Sequence, residues 1–116
     1  MKHDLLSKSH SNVSCPITKV SQILGDTWTI LIIKELLSGE KRFNELQRAL
    51  SESFLPNQVS TKTLSERLKF LRETELITKI IENDSSVKII YKLSPKGQAL
   101  ETIFDDIKKY GDEYLS

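Results

Sequence analysis

The chain has 116 residues, of which 38% are hydrophobic and 28% charged, and its formal net charge at pH 7 is +1. This composition predicts one globular domain and excludes both a disordered chain and a uniformly basic DNA coat. No apolar run approaches the ~18 residues of a membrane span, and the first residues lack the apolar core of a secretory signal, so we expect a cytoplasmic protein. The single cysteine, Cys15, excludes an intrachain disulfide and a metal site built on several cysteines.

The N-terminal part of the sequence predicts an arm followed by a helix. Residues 1–14 are rich in serine, histidine and lysine, and we expect a flexible arm before one domain over residues 15–116. Pro16 suits the first turn of a helix because a backbone N–H at that position has no partner inside the helix. Apolar positions continue from Ile17 to Leu24, and Gly25 marks the end of this helix.

Three further helices are predicted before the residue pattern changes. Asp26 or Thr27 can cap the second helix, which is apolar nearly all round and is expected to be the central buried helix. A third helix fits Asn44–Leu50, and a loop over residues 51–59 separates it from a fourth, which has Ser60 as its N-cap. The fourth helix has one apolar face, made of Leu64, Leu68 and Leu71.

The last third of the sequence predicts a hairpin and a final helix. Leu76–Glu82 and Val87–Leu93 are rich in isoleucine, valine and tyrosine, and the polar segment 83–86 between them predicts a turn. A Ser-Pro pair then opens a helix from Lys96 to the neighbourhood of Leu115. Compact helices followed by a hairpin predict a mainly α, winged helix-turn-helix fold, in which the fourth helix would occupy the DNA major groove.

Charge is polarised along the sequence. Between Ser60 and Arg72 four cations accompany one acid, a net charge of +3, whereas Glu101–Ser116 has two cations and five acids, a net charge of −3. Because phosphate binding requires a cationic face, the fourth helix is predicted to face DNA and the acidic C-terminal segment to face away. With its leucines in the core, the fourth helix leaves on its open face Thr61, Lys62, Ser65, Glu66 and Lys69.

Side chains of these types can read the edges of DNA bases. Lysine contacts guanine, glutamate accepts a hydrogen bond from cytosine, and threonine contacts the thymine methyl group. The same residues also suit the solvated face of any amphipathic helix, and this alternative stays open. Arg67 and Arg72 flank the apolar stripe and fit a phosphate contact or a salt bridge equally well.

Five segments form a pattern that runs through nearly the whole chain. They are Cys15-Pro16, the segments Leu24–Leu36 and Lys41–Gln47, the helix Ser60–Leu71, and the segment Tyr91–Gly97. Together they resemble the HxlR-type family of winged-helix transcription regulators. The resemblance implies a homodimer that binds double-stranded DNA at a pseudo-palindromic operator, with its two recognition helices about 34 Å apart.

The resemblance also implies roles for individual residues. Family dimers associate through their N-terminal and C-terminal helices. The apolar residues suited to that association here are Ile17, Leu100, Ile103, Phe104, Ile107, Tyr110 and Tyr114. The expected DNA-binding set adds to the open face of the fourth helix Arg42, Ser60, Thr63, Arg67 and Lys88. Arg42 is expected either to position a first short strand or to contact a phosphate.

The sequence departs from the family pattern at three places. The loop 51–59 is longer than the short Gly-Ile-Ser link of the family, so the position of the fourth helix can differ from that in the family. Glu75 stands where the family has glycine, so a left-handed cap there would cost ~1 kcal/mol, unless the helix ends in another way. The wing lacks the family's Pro-Pro-Arg stretch, and Lys88 becomes the candidate for a phosphate contact at the wing tip.

Cys15 has two interpretations. Some members of the resembled family sense oxidants, quinones or aldehydes through an N-terminal cysteine, and Cys15 matches that position. Its place before Pro16, at the start of a helix, favours the thiolate. The alternative is a small apolar side chain packed at the dimer interface. Trp28 is interpreted as a core residue, and neither His3 nor His10 is assigned a role.

The sequence bears on three classes of function. The leading prediction is a sequence-specific DNA-binding regulator. The alternative is a winged-helix adaptor that binds a protein without specific DNA binding, which the near-zero net charge leaves open. An enzyme is not predicted, because the sequence has no Ser/His/Asp set, no cluster with metal-ligand spacing and, with 4 glycines, little room for a phosphate-binding loop. No cofactor, metal ion or small-molecule effector is assigned.

Overall fold

A computed structural model describes residues 15–116, so the predicted arm, with its two histidines, lies outside the described residues. The elements, in chain order, are α1 (Pro16–Leu24), α2 (Thr27–Leu37), β1 (Lys41–Arg42), α3 (Phe43–Ser53), α4 (Thr61–Glu73), β2 (Ile77–Asn83), β3 (Val87–Leu93), α5 (Pro95–Gln98) and α6 (Glu101–Tyr114). The predicted fold class, mainly helical with a small β-structure arranged as a winged helix, is confirmed.

The N-terminal helices begin and end where the sequence predicted. Pro16 occupies the first turn of α1, with Cys15 as its N-cap. The N-cap of α2 is Asp26, whose carboxylate accepts a hydrogen bond from the backbone N–H of Thr29 at 3.0 Å. Helix α2 lies at the centre of the domain, as predicted, and its fully buried side chains are those of Thr29, Ile32, Ile33 and Leu36.

The core is formed by α2, the two following helices and the base of the sheet. From α3 it takes Leu46 and Leu50, and from α4 it takes the predicted leucine stripe together with Phe70. The sheet and its flanks contribute Leu76, Ile77, Tyr91 and Leu93. Trp28 packs against this core, partly buried, and forms an edge-on contact with Phe54 at a centroid distance of 5.4 Å.

Helix α3 is longer than predicted. It continues through Ser53, three residues beyond the predicted end at Leu50, so the loop before α4 is shorter than the predicted segment 51–59. The extra turn has a tertiary cause: the Ser53 hydroxyl donates to Glu35 Oε2 at 2.9 Å and accepts from Lys34 Nζ at 3.2 Å. These contacts with α2 extend the helix past the point where its own apolar period stops.

The predicted hairpin is part of a three-stranded antiparallel sheet with the strand order β1-β3-β2. Strands β2 and β3 pair from Ile77 with Leu93 to Asn83 with Val87, and form the wing. The two-residue strand β1 pairs with the base of β3, where Lys41 lies opposite Tyr91. This pairing fixes the start of α3 to the base of the wing.

The end of α4 is a left-handed cap at a residue other than glycine. Glu75 has φ = 65°. The N–H of Leu76 donates to the carbonyl of Leu71 at 2.9 Å, and the N–H of Glu75 donates to that of Arg72 at 3.0 Å. These two bonds form a Schellman motif, in which glycine is the usual left-handed residue. Helix α4 therefore ends in a left-handed cap at Glu75, which carries the conformational cost stated above, and not in another way.

Replacing Glu75 with glycine should therefore stabilise the domain. We expect Glu75→Gly to raise the free energy of unfolding by about 1 kcal/mol, because glycine removes the clash of a Cβ atom with the left-handed backbone. Urea unfolding monitored by circular dichroism measures the change. An equal or lower free energy for the variant would show that this cap carries no conformational cost.

The C-terminal helix is broken, whereas one continuous helix was predicted. A short α5 ends at Gln98, and α6 begins at Glu101. Between them the N–H of Leu100 donates to the carbonyl of Gly97, three residues back, at 3.0 Å. The Ser94 hydroxyl donates to the Glu75 carbonyl at 2.7 Å, which ties α5 to the end of α4. Because α5 is held there, α6 starts separately.

Candidate nucleic-acid interface

Helix α4 displays the face that the sequence predicted. Its exposed side chains include Thr61, Lys62, Ser65, Glu66 and Lys69. At the helix start, the Ser60 oxygen accepts a hydrogen bond from the Thr63 N–H at 3.0 Å, and the Ser60 hydroxyl donates to Thr63 Oγ1 at the same distance. These two members of the predicted DNA-binding set therefore also cap the recognition helix.

The position of α4 on the core could not be predicted because of the longer loop before it. A side chain of α3 helps to fix this position. Gln47 Nε2 donates to the Val59 carbonyl at 3.1 Å and to Thr61 Oγ1 at 3.3 Å. Val59 is itself 4% exposed and anchors the end of the loop in the core. The two helices of the motif are therefore joined by a side-chain bridge in addition to the connecting loop.

A cleft between α4 and the sheet forms the first cationic surface. It has a volume of about 530 Å³ and is lined by Ser65, Leu68, Lys69, Arg72, Glu73, Lys79 and Tyr91. Three of these side chains are cations and one is an acid. We call it the helix–wing cleft. Lys79 is absent from the sequence-based set, because only the strand register places it opposite Tyr91 and beside α4.

A second cationic cleft lies between the start of α3 and the wing. It has a volume of about 380 Å³ and is lined by Arg42, Phe43, Asn44, Glu45, Arg48, Val87, Lys88 and Ile89. We call it the α3–wing cleft. Arg42 belongs to β1 and Arg48 to α3, so the cations of this cleft come from three elements. Glu45 is engaged locally, since its carboxylate accepts from the Arg42 N–H at 2.8 Å.

The position of Lys88 differs from the prediction. It was expected at the wing tip, but it lies within β3, opposite Glu82, and is half-buried in the α3–wing cleft. The tip is formed by residues 84–86. The strand resumes at Val87, which places Lys88 beside α3 and Arg48. Arg48 is not among the residues selected from the sequence.

Arg67 forms the salt bridge that was one of its two predicted roles. Its Nε lies 2.8 Å from Asp26 Oδ2, and its Nη2 donates to Asp26 Oδ1 at 3.2 Å. Its side chain is 26% exposed, in contrast to the open face of the same helix. Arg67 is thus a less accessible cation than Lys62 or Lys69.

Cys15 lies at the exposed start of α1. The Thr18 backbone and side chain and the Ile17 backbone, all in the first turn of α1, lower the pKa of the thiol from its usual range, although the Cys15 side chain makes no capping hydrogen bond. The helix start thus favours the thiolate, as the sequence predicted. Within residues 15–116 of a single chain this thiol is exposed, as both the sensor and the dimer-interface interpretations require.

The predicted dimer-forming residues divide into two groups. The exposed ones are Ile17 on α1 and, on α6, Ile103, Ile107, Tyr110 and Tyr114. The four on α6 recur at helical spacing and form one stripe along its 14 residues, which we call the α6 stripe. Leu100 and Phe104 instead pack, partly buried, against the core of the same chain, which leaves less of each side chain available to an interface.

Between Cys15 and Ser116, no group of three or more histidine, cysteine, aspartate or glutamate side chains is placed to hold a metal ion. No helix in the part of the chain that the structure describes is long and apolar enough to cross a membrane. The two cationic clefts and the open face of α4 are the features that the helix-turn-helix arrangement places together.

A capped cationic helix on a three-helix core, flanked by a β-wing, defines a winged helix-turn-helix DNA-binding protein. Residues 23–116 match the family described as HxlR-like helix-turn-helix. The chain belongs to this family of transcriptional regulators, which confirms the resemblance noted from its motifs.

Named relatives agree with this assignment. The chain is 34% identical over 104 residues to the HTH-type transcriptional regulator YodB of Bacillus subtilis, covering 89% of this chain and 88% of that protein. The crystal structure of reduced YodB superposes with a TM-score of 0.71 at 33% identity, covering 90% of this chain and 97% of that one. A MarR-family transcriptional regulator of Porphyromonas gingivalis W83 superposes with a TM-score of 0.76 at 36% identity, covering 88% of this chain and 94% of that one.

Proposed function

We propose that this protein is a homodimeric transcriptional regulator of the cytoplasm that binds a specific pseudo-palindromic DNA operator and releases it when Cys15 is oxidised or alkylated. The observation that carries the DNA-binding part is the exposed face of α4, which borders one cationic cleft against the wing, while a second cationic cleft lies between α3 and the wing. A helix in the major groove can read base edges, while cations on either side contact the phosphates.

The two clefts have different expected roles. Lys69 lies on the open face of α4 and also lines the helix–wing cleft, so its substitution should affect base recognition as well as charge. Arg48 lies on α3, away from the recognition helix, and its role should be limited to a phosphate. A salt titration distinguishes the two, because each lost phosphate contact lowers the slope of log affinity against log salt by about 1.

The test begins with an operator obtained by random-sequence selection with the reduced full-length protein. We expect binding to this duplex to survive excess unrelated DNA and to weaken steeply with salt. Arg48→Gln should weaken binding to all sequences and lower the salt slope by about 1, whereas Lys69→Gln should also relax specificity. Lys109→Gln, an equal change in charge on α6, is the control and should leave both unchanged.

Failure of the selection to enrich any sequence would overturn the proposal and favour the adaptor, which would bind a protein partner through the same winged helix. Loss of binding in Lys109→Gln equal to that in Arg48→Gln would show that net charge, rather than the cleft, is responsible.

The redox part of the proposal rests on the exposed, low-pKa thiol of Cys15. Structures of the relative YodB include a reduced, a diamide-treated and a quinone-bound form. Diamide takes two hydrogen atoms from two thiols and joins the sulfurs as a disulfide. Because each chain has a single cysteine, that disulfide must link two chains of this protein.

We expect diamide to convert the wild-type protein into a covalent dimer on a non-reducing gel and to lower its operator affinity at least tenfold, on the order of 1.4 kcal/mol. Dithiothreitol should restore both properties. Cys15→Ser should bind the operator like the reduced wild type and should not respond to diamide. If the serine variant loses binding to the same extent as the wild type, the thiol is not the sensor.

A further inference from the structure

One carboxylate links two helices of the DNA-binding domain. Asp26 Oδ2 accepts hydrogen bonds from the Thr29 N–H at 3.0 Å, the Thr29 hydroxyl at 3.2 Å and Arg67 Nε at 2.8 Å. Asp26 Oδ1 accepts from Arg67 Nη2 at 3.2 Å. The first two bonds cap the buried helix α2, and the other two reach the middle of α4. The arginine pairing is bidentate, which fixes orientation as well as distance.

Asp26 also lies at a tight joint between α1 and α2. Only Gly25 and Asp26 separate Leu24, the end of α1, from Thr27, the start of α2. A Cβ atom added at Gly25 would lie 2.6 Å from the carbonyl oxygen of Ser21, so the joint has no room for a side chain there. Helix α1, which has Cys15 as its N-cap, therefore ends two residues before the residue that binds α4.

The electrostatics of the pair agree with a persistent contact. Partial burial acts to raise the pKa of Asp26, but hydrogen bonds from Arg67 and Thr29 outweigh it and hold the pKa below its ordinary value. The hydrogen bond to Asp26 raises the pKa of Arg67. The Asp26 side chain is 19% exposed, so the pair is screened less than a surface ion pair.

We propose that Asp26 and Arg67 are positioning residues that hold the recognition helix α4 in the orientation its operator requires. This inference rests on the proposed DNA-binding function. Arg67 acts through Asp26 rather than through DNA, because its Nε–Nη2 edge is bound to that carboxylate and its Nη1 lies 3.8 Å from Glu66 Oε1. Loss of the pair leaves the cations of the two clefts in place, so it should affect specific binding and leave non-specific binding unchanged.

Two substitutions separate the pair from the helix cap. Asp26→Ser keeps an N-cap oxygen for α2, since serine caps as well as aspartate, but its side chain is too short to bind Arg67. Arg67→Gln removes the cation. We expect each to lower operator affinity about tenfold while leaving non-specific affinity and the salt slope unchanged, and the double variant to be no weaker than either single variant. Asp112→Ser, which breaks the 2.9 Å ion pair with Lys108 on α6, is the matched control and should change nothing.

A measurement without DNA decides the same question. We expect amide hydrogen exchange in α4 to become faster in Asp26→Ser, relative to α3, which Asp26 does not contact. Unchanged exchange in α4 would overturn the inference whether or not the wild type recognises an operator. A lower salt slope for Arg67→Gln, with full operator affinity in Asp26→Ser, would overturn it in favour of a phosphate contact. Failure of the wild type to select a sequence would instead refute the proposed function.

Discussion

Replacing Gly97 with alanine should lower the free energy of unfolding by about 3 kcal/mol, the largest effect we expect from a single methyl group in this chain. Gly97 lies buried in the one-turn helix α5. A Cβ atom there would overlap the carbonyl oxygen of Leu76 and lie 3.0 Å from Leu93 Cδ2. The obstacle is backbone, which cannot rotate away as a side chain can.

The clash lies where α5 packs against the end of α4 and the base of the sheet. The Leu76 carbonyl accepts from the Ser94 N–H at 3.0 Å, and the Ser94 hydroxyl accepts from the Gly97 N–H at 3.1 Å. Moving α5 outward to admit the methyl group would strain both bonds and separate the end of α4 from the sheet. We expect a fall in melting temperature of roughly 12 °C at fixed protein concentration, measured by thermal unfolding.

Gly111 provides the matched control. It lies within α6, and a Cβ atom added there meets nothing within 4 Å. Alanine favours the helix over glycine, so Gly111→Ala should raise the free energy of unfolding by up to about 1 kcal/mol. If the two variants change stability equally, the close approach of Gly97 to the Leu76 backbone is not what destabilises Gly97→Ala.

Elements whose formation depends on neighbouring residues could be predicted from the sequence. Helix α4 begins at a serine cap and has leucines at helical spacing, and both features act within a few residues. The cap of α2 at Asp26 is equally local. The open face of α4 follows directly from its apolar face, so five of the exposed residues at the candidate interface could be named without a structure.

Features that depend on contacts between residues far apart in the sequence could not be predicted. The partner of Arg67 lies 41 residues earlier in the chain, and neither side chain stands in a pattern that points to the other. Ser53 extends α3 through contacts with α2, although the local sequence there is polar. Arg48 and Lys79 became candidate phosphate ligands only once strand pairing placed them at the clefts.

The proposed association of two chains depends on a surface that lies outside the core. None of the residues of α6 is fully buried, and Ile107 in the α6 stripe is 50% exposed. The tyrosines of the stripe contact each other at a centroid distance of 4.8 Å. A continuous apolar stripe on an amphipathic helix is suited to a second copy of itself, because a two-fold axis places equal surfaces in contact.

Placing a charge in this stripe should separate the protomers and abolish tight operator binding. We expect Ile107→Glu to be monomeric at micromolar concentration by analytical ultracentrifugation, since dimerisation would bury an unpaired carboxylate. A monomer contacts one half-site and loses the effective concentration, in the millimolar range, that a linked second half provides. Operator affinity should fall at least 100-fold, about 2.7 kcal/mol, while binding to an isolated half-site stays unchanged.

Lys109→Gln changes the net charge by the same amount on the opposite side of α6 and should remain a dimer with full operator affinity. Unchanged circular dichroism in Ile107→Glu would establish that the chain still folds, which its half-exposed position allows. A dimeric Ile107→Glu with wild-type operator affinity would exclude the α6 stripe as the interface. A monomeric variant that kept full operator affinity would show that one protomer suffices for recognition, because the dimer contributes to affinity only when both recognition helices engage one duplex.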